Sequence, residues 1–279
     1  MAKKYNNVDC RLGTVESGEI RLDESYQEYI NRVARLTLPT ACATQLQSIQ
    51  QSPKFIDGKP TSFPGYSVIT PTAADDTANN DFYRQIETLQ QQLFQQLGAE
   101  FFIPLPPTSF HFTLADLIWD ESYRQAVKAN SDFDRQLQQQ VAASFQQYRE
   151  TADNKPLSWQ LWGAIARPRA IMACLVPKDQ ESYQTVAKLR RSVYQNAGLI
   201  GLGIEQQYDF TAHITLGYFN QIPNGLNRDR LCIVLSQIND RLIERELPEF
   251  TVKQAQLRKF ENMFEYERES DWAVVNFGN

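Results

Sequence analysis

Twice along this chain a strand leads into an amphipathic helix stopped by a glycine, then through a short link into a strand that carries a histidine. In the first copy, about residues 66–115, Tyr66–Thr70 reads as a strand ended by Pro71. Phe82, Ile86, Leu89, Leu93 and Leu97 then form one helical stripe over 80–97, and Gly98 is placed as its stop. Ser109–Ala115 follows and alternates with period two. In the second copy, about residues 169–218, Arg169–Val176 is the strand. A helix runs from about Gln180 to Asn196 before Gly198, and Tyr208–Tyr218 alternates with period two. A chain patterned this way is expected to fold into two similar lobes. The period is long and the residues differ, so a solenoid is excluded.

The remaining segments fit around that order. Tyr26, Tyr29, Ile30 and Val33 mark a helix over 26–36, and a Pro- and Gly-rich loop covers Ser52–Gly65. Glu121–Glu150 reads as one helix, broken by Lys155-Pro156. Trp159–Ala166 pairs with the strand beginning at Arg169 across a turn at Arg167-Pro168. A helix from about Asn227 to Glu246 is followed by strands at Phe250–Arg258, Phe264–Arg268 and Ala273–Phe277.

Composition narrows the function classes. With 279 residues, 42% hydrophobic and 22% charged, the chain can bury a full core. A net charge of −5 is the wrong sign for a clamp on long nucleic acid or for a polybasic membrane binder. Cys10, Cys42, Cys174 and Cys232 form no CxxC pair and read as free thiols. The N-terminus lacks the apolar core of a signal peptide, and no stretch approaches the ~18–20 apolar residues of a membrane span. A cytoplasmic protein is expected. Only two histidines are present, which excludes sites that need three imidazole ligands.

Those two histidines share one frame: His111-Phe112-Thr113-Leu114 and His213-Ile214-Thr215-Leu216. Threonine makes up 16 of 279 residues, so a threonine two places after both histidines is not a chance expectation. In a strand, residues two apart share a face. Phe110, Phe112 and Leu114 therefore face a core while His111 and Thr113 face away from it. In the second frame Phe210, Ala212, Ile214 and Leu216 face the core, and Thr211, His213, Thr215 and Gly217 point the other way. If the lobes face each other, the two polar sides meet in one cleft.

Paired imidazoles suit phosphodiester hydrolysis. One ring takes a proton from the attacking water and the other protonates the leaving oxygen. Each threonine hydroxyl can donate to a non-bridging phosphate oxygen or orient its imidazole, and the sequence leaves both roles open. The scheme calls for no metal and no cofactor.

The doubled H-x-T-L frame resembles the signature of the two-histidine (2H) phosphoesterase superfamily, which includes LigT-like RNA 2′,3′-cyclic phosphodiesterases. The resemblance implies an α+β fold, a bilobal single domain whose antiparallel sheets are flanked by helices around a central cleft. Its expected parts are an N-terminal extension over 1–50, a first lobe over about 52–150 and a second over about 155–279. His111 and His213 map onto the acid–base pair, and Thr113 and Thr215 onto its partners. Tyr218 is similar to positions where members place a ring near the ligand, although from the residues alone it reads first as a packing ring. Tyr66, opening its strand after Pro64-Gly65, reads first as a core ring, with cleft lining, as a second candidate substrate-binding ring, as the alternative. The expected substrate is a 2′,3′-cyclic phosphate on a small nucleotide or RNA end, and a monomer is expected. Three bland readings stand beside these. A non-catalytic binder of phosphorylated RNA ends or nucleotides would use the same cleft. The N-terminal fifty residues could serve a scaffold. Arg167 and Arg169 could be a solvated hairpin tip rather than phosphate contacts.

Overall fold

The computed structural model describes residues 24–149, 155–244 and 248–278. Cys10 with the rest of residues 1–23 of the N-terminal extension, and the expected helix ends at Glu150 and Glu246, lie outside them.

The first element of the described residues is α1 (Tyr26–Leu36), started by a capping box in which Ser25 and Glu28 satisfy each other's backbone N–H. Next come α2 (Pro39–Gln47), the hairpin β1 (Phe55–Ile56) and β2 (Lys59–Pro60), and then β3 (Gly65–Ile69). The long helix α3 (Asn80–Leu97) buries Phe82, Ile86, Leu89 and Leu93 and ends at Gly98, whose φ of 77° suits glycine. β4 (Phe102–Pro104), β5 (Thr113–Trp119), α4 (Asp120–Ala129) and α5 (Phe133–Arg149) follow. The second half holds β6 (Leu157–Arg167), β7 (Ala170–Pro177), α6 (Gln180–Tyr194), α7 (Ala197–Gly201) and β8 (His213–Phe219). It ends with α8 (Arg228–Ile243), β9 (Phe250–Val252), β10 (Gln254–Phe260), β11 (Tyr266–Glu267) and β12 (Val274–Asn276).

Two antiparallel sheets dominate this α+β fold. One has the order β11-β10-β3-β5 with β12 also on β10, and the other has the order β4-β8-β7-β6-β9. Each histidine motif therefore lies in a different sheet: β5 pairs with β3, and β8 with β7. The sheets interleave along the chain instead of dividing near residue 150. β4 comes from the first half yet joins the second sheet, and β10 to β12 return from the C-terminus to the first. The expected strand Phe250–Arg258 splits at Lys253 as it passes from one sheet to the other.

Other departures have local causes. The helix expected over 121–150 breaks at Asn130-Ser131-Asp132, where the Asn130 side chain accepts from the Asp132 N–H in competition with helical bonding. Gly198 does not stop α6. Asn196 caps α7 by accepting from the N–H groups of Gly198 and Leu199, and this ends the helical run before it. The alternation expected over Ser109–Ala115 begins as a 3₁₀ turn at Pro107–Ser109, and the regular strand starts only at Thr113. Pro71 lies opposite and has no N–H to give the ladder. Thr70 takes its place, donating its N–H to Phe112 O (2.9 Å) and accepting the Phe112 N–H at Oγ1 (3.0 Å).

Candidate active site

β5 and β8 carry the same device. In β5 the register jumps between Val68–Ala115 and Ile69–Thr113, so Leu114 is an extra, bulged residue. In β8 it jumps between Ile171–Gly217 and Met172–Thr215, which makes Leu216 the extra residue. The shared Leu of each H-x-T-L frame is thus a β-bulge. A bulge shifts the alternation by one. Asp116 then shares a face with Thr113, and Tyr218 with Thr215.

Helices tie down the freed bulge carbonyls. Leu216 O accepts from Gln90 Nε2 of α3 (2.6 Å) and from Leu105 N (3.0 Å). Leu114 O accepts from Arg190 Nη1 of α6 (2.6 Å). The helix of each repeat therefore supports the histidine strand of the other, and both donors are buried.

The two polar faces meet in a cavity of about 340 Å³ between the sheets. His111, Thr113 and Asp116 line one wall; His213, Thr215 and Tyr218 line the other. Each imidazole is pinned in the same way. His111 Nδ1 contacts Ser109 O at 2.7 Å and His213 Nδ1 contacts Thr211 O at 2.6 Å. A carbonyl oxygen only accepts, so Nδ1 holds the proton in both rings and Nε2 keeps its lone pair. Burial is the main force on both titrations and lowers both. His111 falls to about 4: burial leads, the charges of His213 and Arg258 add to it, and the Ser109 hydrogen bond and Asp116 oppose it. His213 is lowered by burial, with Arg167 and Lys54 acting in the same direction and Asp116 against it.

The rest of the wall combines cations and rings. Lys54 Nζ donates to Tyr218 OH (3.1 Å) and lies 4.7 Å from the Phe63 ring centroid and 4.8 Å from that of Tyr218. Arg167 and Arg169 line the cavity too, so the β6–β7 turn belongs to the site and is not a solvated tip alone. The Tyr266 ring meets the His111 imidazole edge-on, centroids 4.3 Å apart. Asp116 accepts from Tyr208 OH and, at 3.4 Å, from Ser67 Oγ.

Five of the six candidate residues come together here; Tyr66 does not. Its ring is buried on the opposite face of the sheet, against Tyr123 and Trp272, with Lys259 Nζ 5.4 Å from its centroid. Its neighbour Ser67 is the one that lines the cavity. Core packing is therefore the role of Tyr66. Lys54, Asp116, Tyr208 and Tyr266 have no counterpart in the sequence reading. Asp116 lies five residues past His111 just as Tyr218 lies five past His213, and this spacing was the one signal available for it.

Among the described residues, no group of three His, Cys, Asp or Glu side chains could hold a metal ion, and no helix is long and apolar enough to cross a membrane.

Residues 54–161 match the family described as 2H-phosphodiest, Domain of unknown function (DUF1868). No curated protein matches the chain. Among solved structures, a conserved protein of unknown function from Agrobacterium tumefaciens, ATU0111, is similar in fold: TM-score 0.56, 17% identity, covering 78% of this chain and 90% of that one. E. coli LigT complexed with 3′-AMP aligns at TM-score 0.43 and 14% identity over 78% of this chain and 99% of its own. TT0787 of Thermus thermophilus aligns at 0.39 and 16% over 73% and 99%. Two bulged His-x-Thr strands line one cavity here, and over residues 54–161, across the first of them, the chain is similar to the 2H-phosphodiesterase family.

Proposed function

We propose that the protein hydrolyses a phosphodiester, a 2′,3′-cyclic phosphate on a small nucleotide or RNA end, with His111 and His213 as the acid–base pair. The observation that carries this reading is the pairing itself: two imidazoles in one cavity, each with Nδ1 bonded to the carbonyl two residues back. The free protein holds both rings neutral near pH 7 because both titrations are lowered. A phosphate anion in the cavity favours the cationic form of an adjacent imidazole. One histidine then carries a second proton while the other stays neutral.

The neutral Nε2 takes a proton from water as its oxygen bonds to phosphorus. The P–O bond to one ribose oxygen breaks, and that oxygen takes the proton from the imidazolium. Atoms balance: one water is added, and the product is a 2′- or 3′-phosphomonoester. Thr113 and Thr215 donate to the non-bridging oxygens, while Lys54, Arg167 and Arg169 offset their charge. Tyr218 offers a ring to the nucleoside. No step calls on a metal or cofactor. The buried thiols of Cys42 and Cys174 suit a reducing, cytoplasmic setting.

The test is turnover of a panel of 2′,3′-cyclic mononucleotides and short cyclic-phosphate RNA ends, with EDTA present. Hydrolysis of any member supports the reading. The competing reading is a binder without turnover, favoured by the burial that lowers both histidines and disfavours an imidazolium in the free site. Thermal stabilisation by these ligands, with no product after long incubation, would establish that reading instead.

A further inference from the structure

The helix α1 precedes both repeats, yet it reaches the cavity wall. Its Tyr29 is fully buried, and its hydroxyl donates to Leu175 O (3.0 Å) and accepts the Ala212 N–H (3.0 Å). One turn further along, Arg32 donates to Thr211 Oγ1 (3.0 Å) through Nη1 and to Phe210 O through Nη2. Arg32 is itself held by a salt bridge to Glu24. Residues 210–212 are thus gripped at a backbone carbonyl, a side-chain hydroxyl and a backbone N–H, all from α1. The middle residue, Thr211, supplies the carbonyl that receives the His213 Nδ1 proton. The equivalent segment before His111 has no such support from α1. Ser109 is held by local bonds, its N–H and Oγ both donating to Pro106 O.

We propose that α1 is a positioning element for His213: Tyr29 and Arg32 fix Phe210–Ala212 so that Thr211 O selects the Nδ1–H tautomer and leaves Nε2 as the reactive atom. The inference rests on reading His213 as half of the acid–base pair. The charged groups acting on His213 are Asp116, Arg167 and Lys54, and His111 faces it across the cavity. None belongs to α1, so a change on α1 reaches the ring through geometry.

The experiment follows imidazole ¹⁵N signals and steady-state kinetics in the wild type, Arg32→Met, Arg32→Lys and Tyr29→Phe, with Arg35→Ala on the exposed side of α1 as the control. In Arg32→Met and Tyr29→Phe, His213 is expected to become a mixture of tautomers while His111 keeps its wild-type signals. kcat is expected to fall about tenfold with KM within twofold, since the lost interaction orients the reacting group and does not bind substrate. Arg32→Lys, which keeps one donor, should recover part of both effects, and Arg35→Ala should change neither. Tyr29→Phe keeps the test open if Arg32→Met fails to fold. Unchanged His213 signals in a folded variant would overturn the proposal. So would equal disturbance of both histidines, which would mark general loosening. If the wild type turns over no phosphodiester, the proposed function fails, and the tautomer measurement alone then judges the role of α1.

Discussion

Replacing His111 with Asn should make the protein less sensitive to acid. In the folded chain His111 is lowered to about 4, chiefly because burial penalises the cation. In the unfolded chain it titrates near ~6.5. Between these values the unfolded state binds more protons than the folded one, so stability falls as pH is lowered from about 6.5 to about 4. For a single group with those two constants, the loss between pH 7.5 and 4.5 comes to about 2.5 kcal/mol. The ring is only part-buried, and solvent screening of such a group makes about 1–2.5 kcal/mol the working range. The asparagine variant has no such group, while the carboxylates act in both proteins and largely cancel in the difference. Urea unfolding of both proteins at pH 7.5 and 4.5, in buffers without phosphate, reads the effect. The wild type should lose about 1–2.5 kcal/mol more than His111→Asn over that interval. Parallel losses would refute the claim that the cavity holds this imidazole neutral.

Three further outcomes follow from the same geometry. Thr113→Val or Thr215→Val should lower kcat about 10–100-fold while the melting temperature stays within a few degrees, since each removes a donor from the cavity wall. Tyr66→Phe should leave turnover within twofold, whereas Tyr218→Ala should raise KM, because only Tyr218 lines the cavity. Gly217→Ala should destabilise the fold by about 2 kcal/mol or more in urea unfolding: a Cβ there would stand 2.3 Å from Ile103 O and 2.5 Å from the Phe102 ring.

The parts of the molecule that were legible in the sequence are those with a local periodic signal. The α3 stripe ending at Gly98 appears where the spacing placed it, because one apolar face meets the core and the other meets water. The histidine frames were legible because His and Thr two apart share a strand face. The bulges were not, since no residue type announces a one-residue slip in register. Strict alternation put Gly217 on the cleft face and left no place there for Asp116; the bulges at Leu216 and Leu114 reverse both. Tyr66 was ambiguous for a different reason. Every residue of β3 is buried, so the strand shows no polar and apolar alternation from which to read its facing. Arg32 acts on Thr211, 179 residues away, through a side-chain contact that only tertiary folding creates.

The measurement that bears most directly on the two-histidine account is kcat/KM on a 2′,3′-cyclic mononucleotide for the wild type, His111→Ala, His213→Ala and the double variant, across pH 4–9 with EDTA present. If the rings act as one acid–base unit, the wild type follows a bell-shaped profile. Each single variant should lose at least about 10³-fold, and the double variant should lose little more than the worse single one. A single variant that keeps activity within tenfold of wild type, or losses that simply multiply in the double variant, would contradict it.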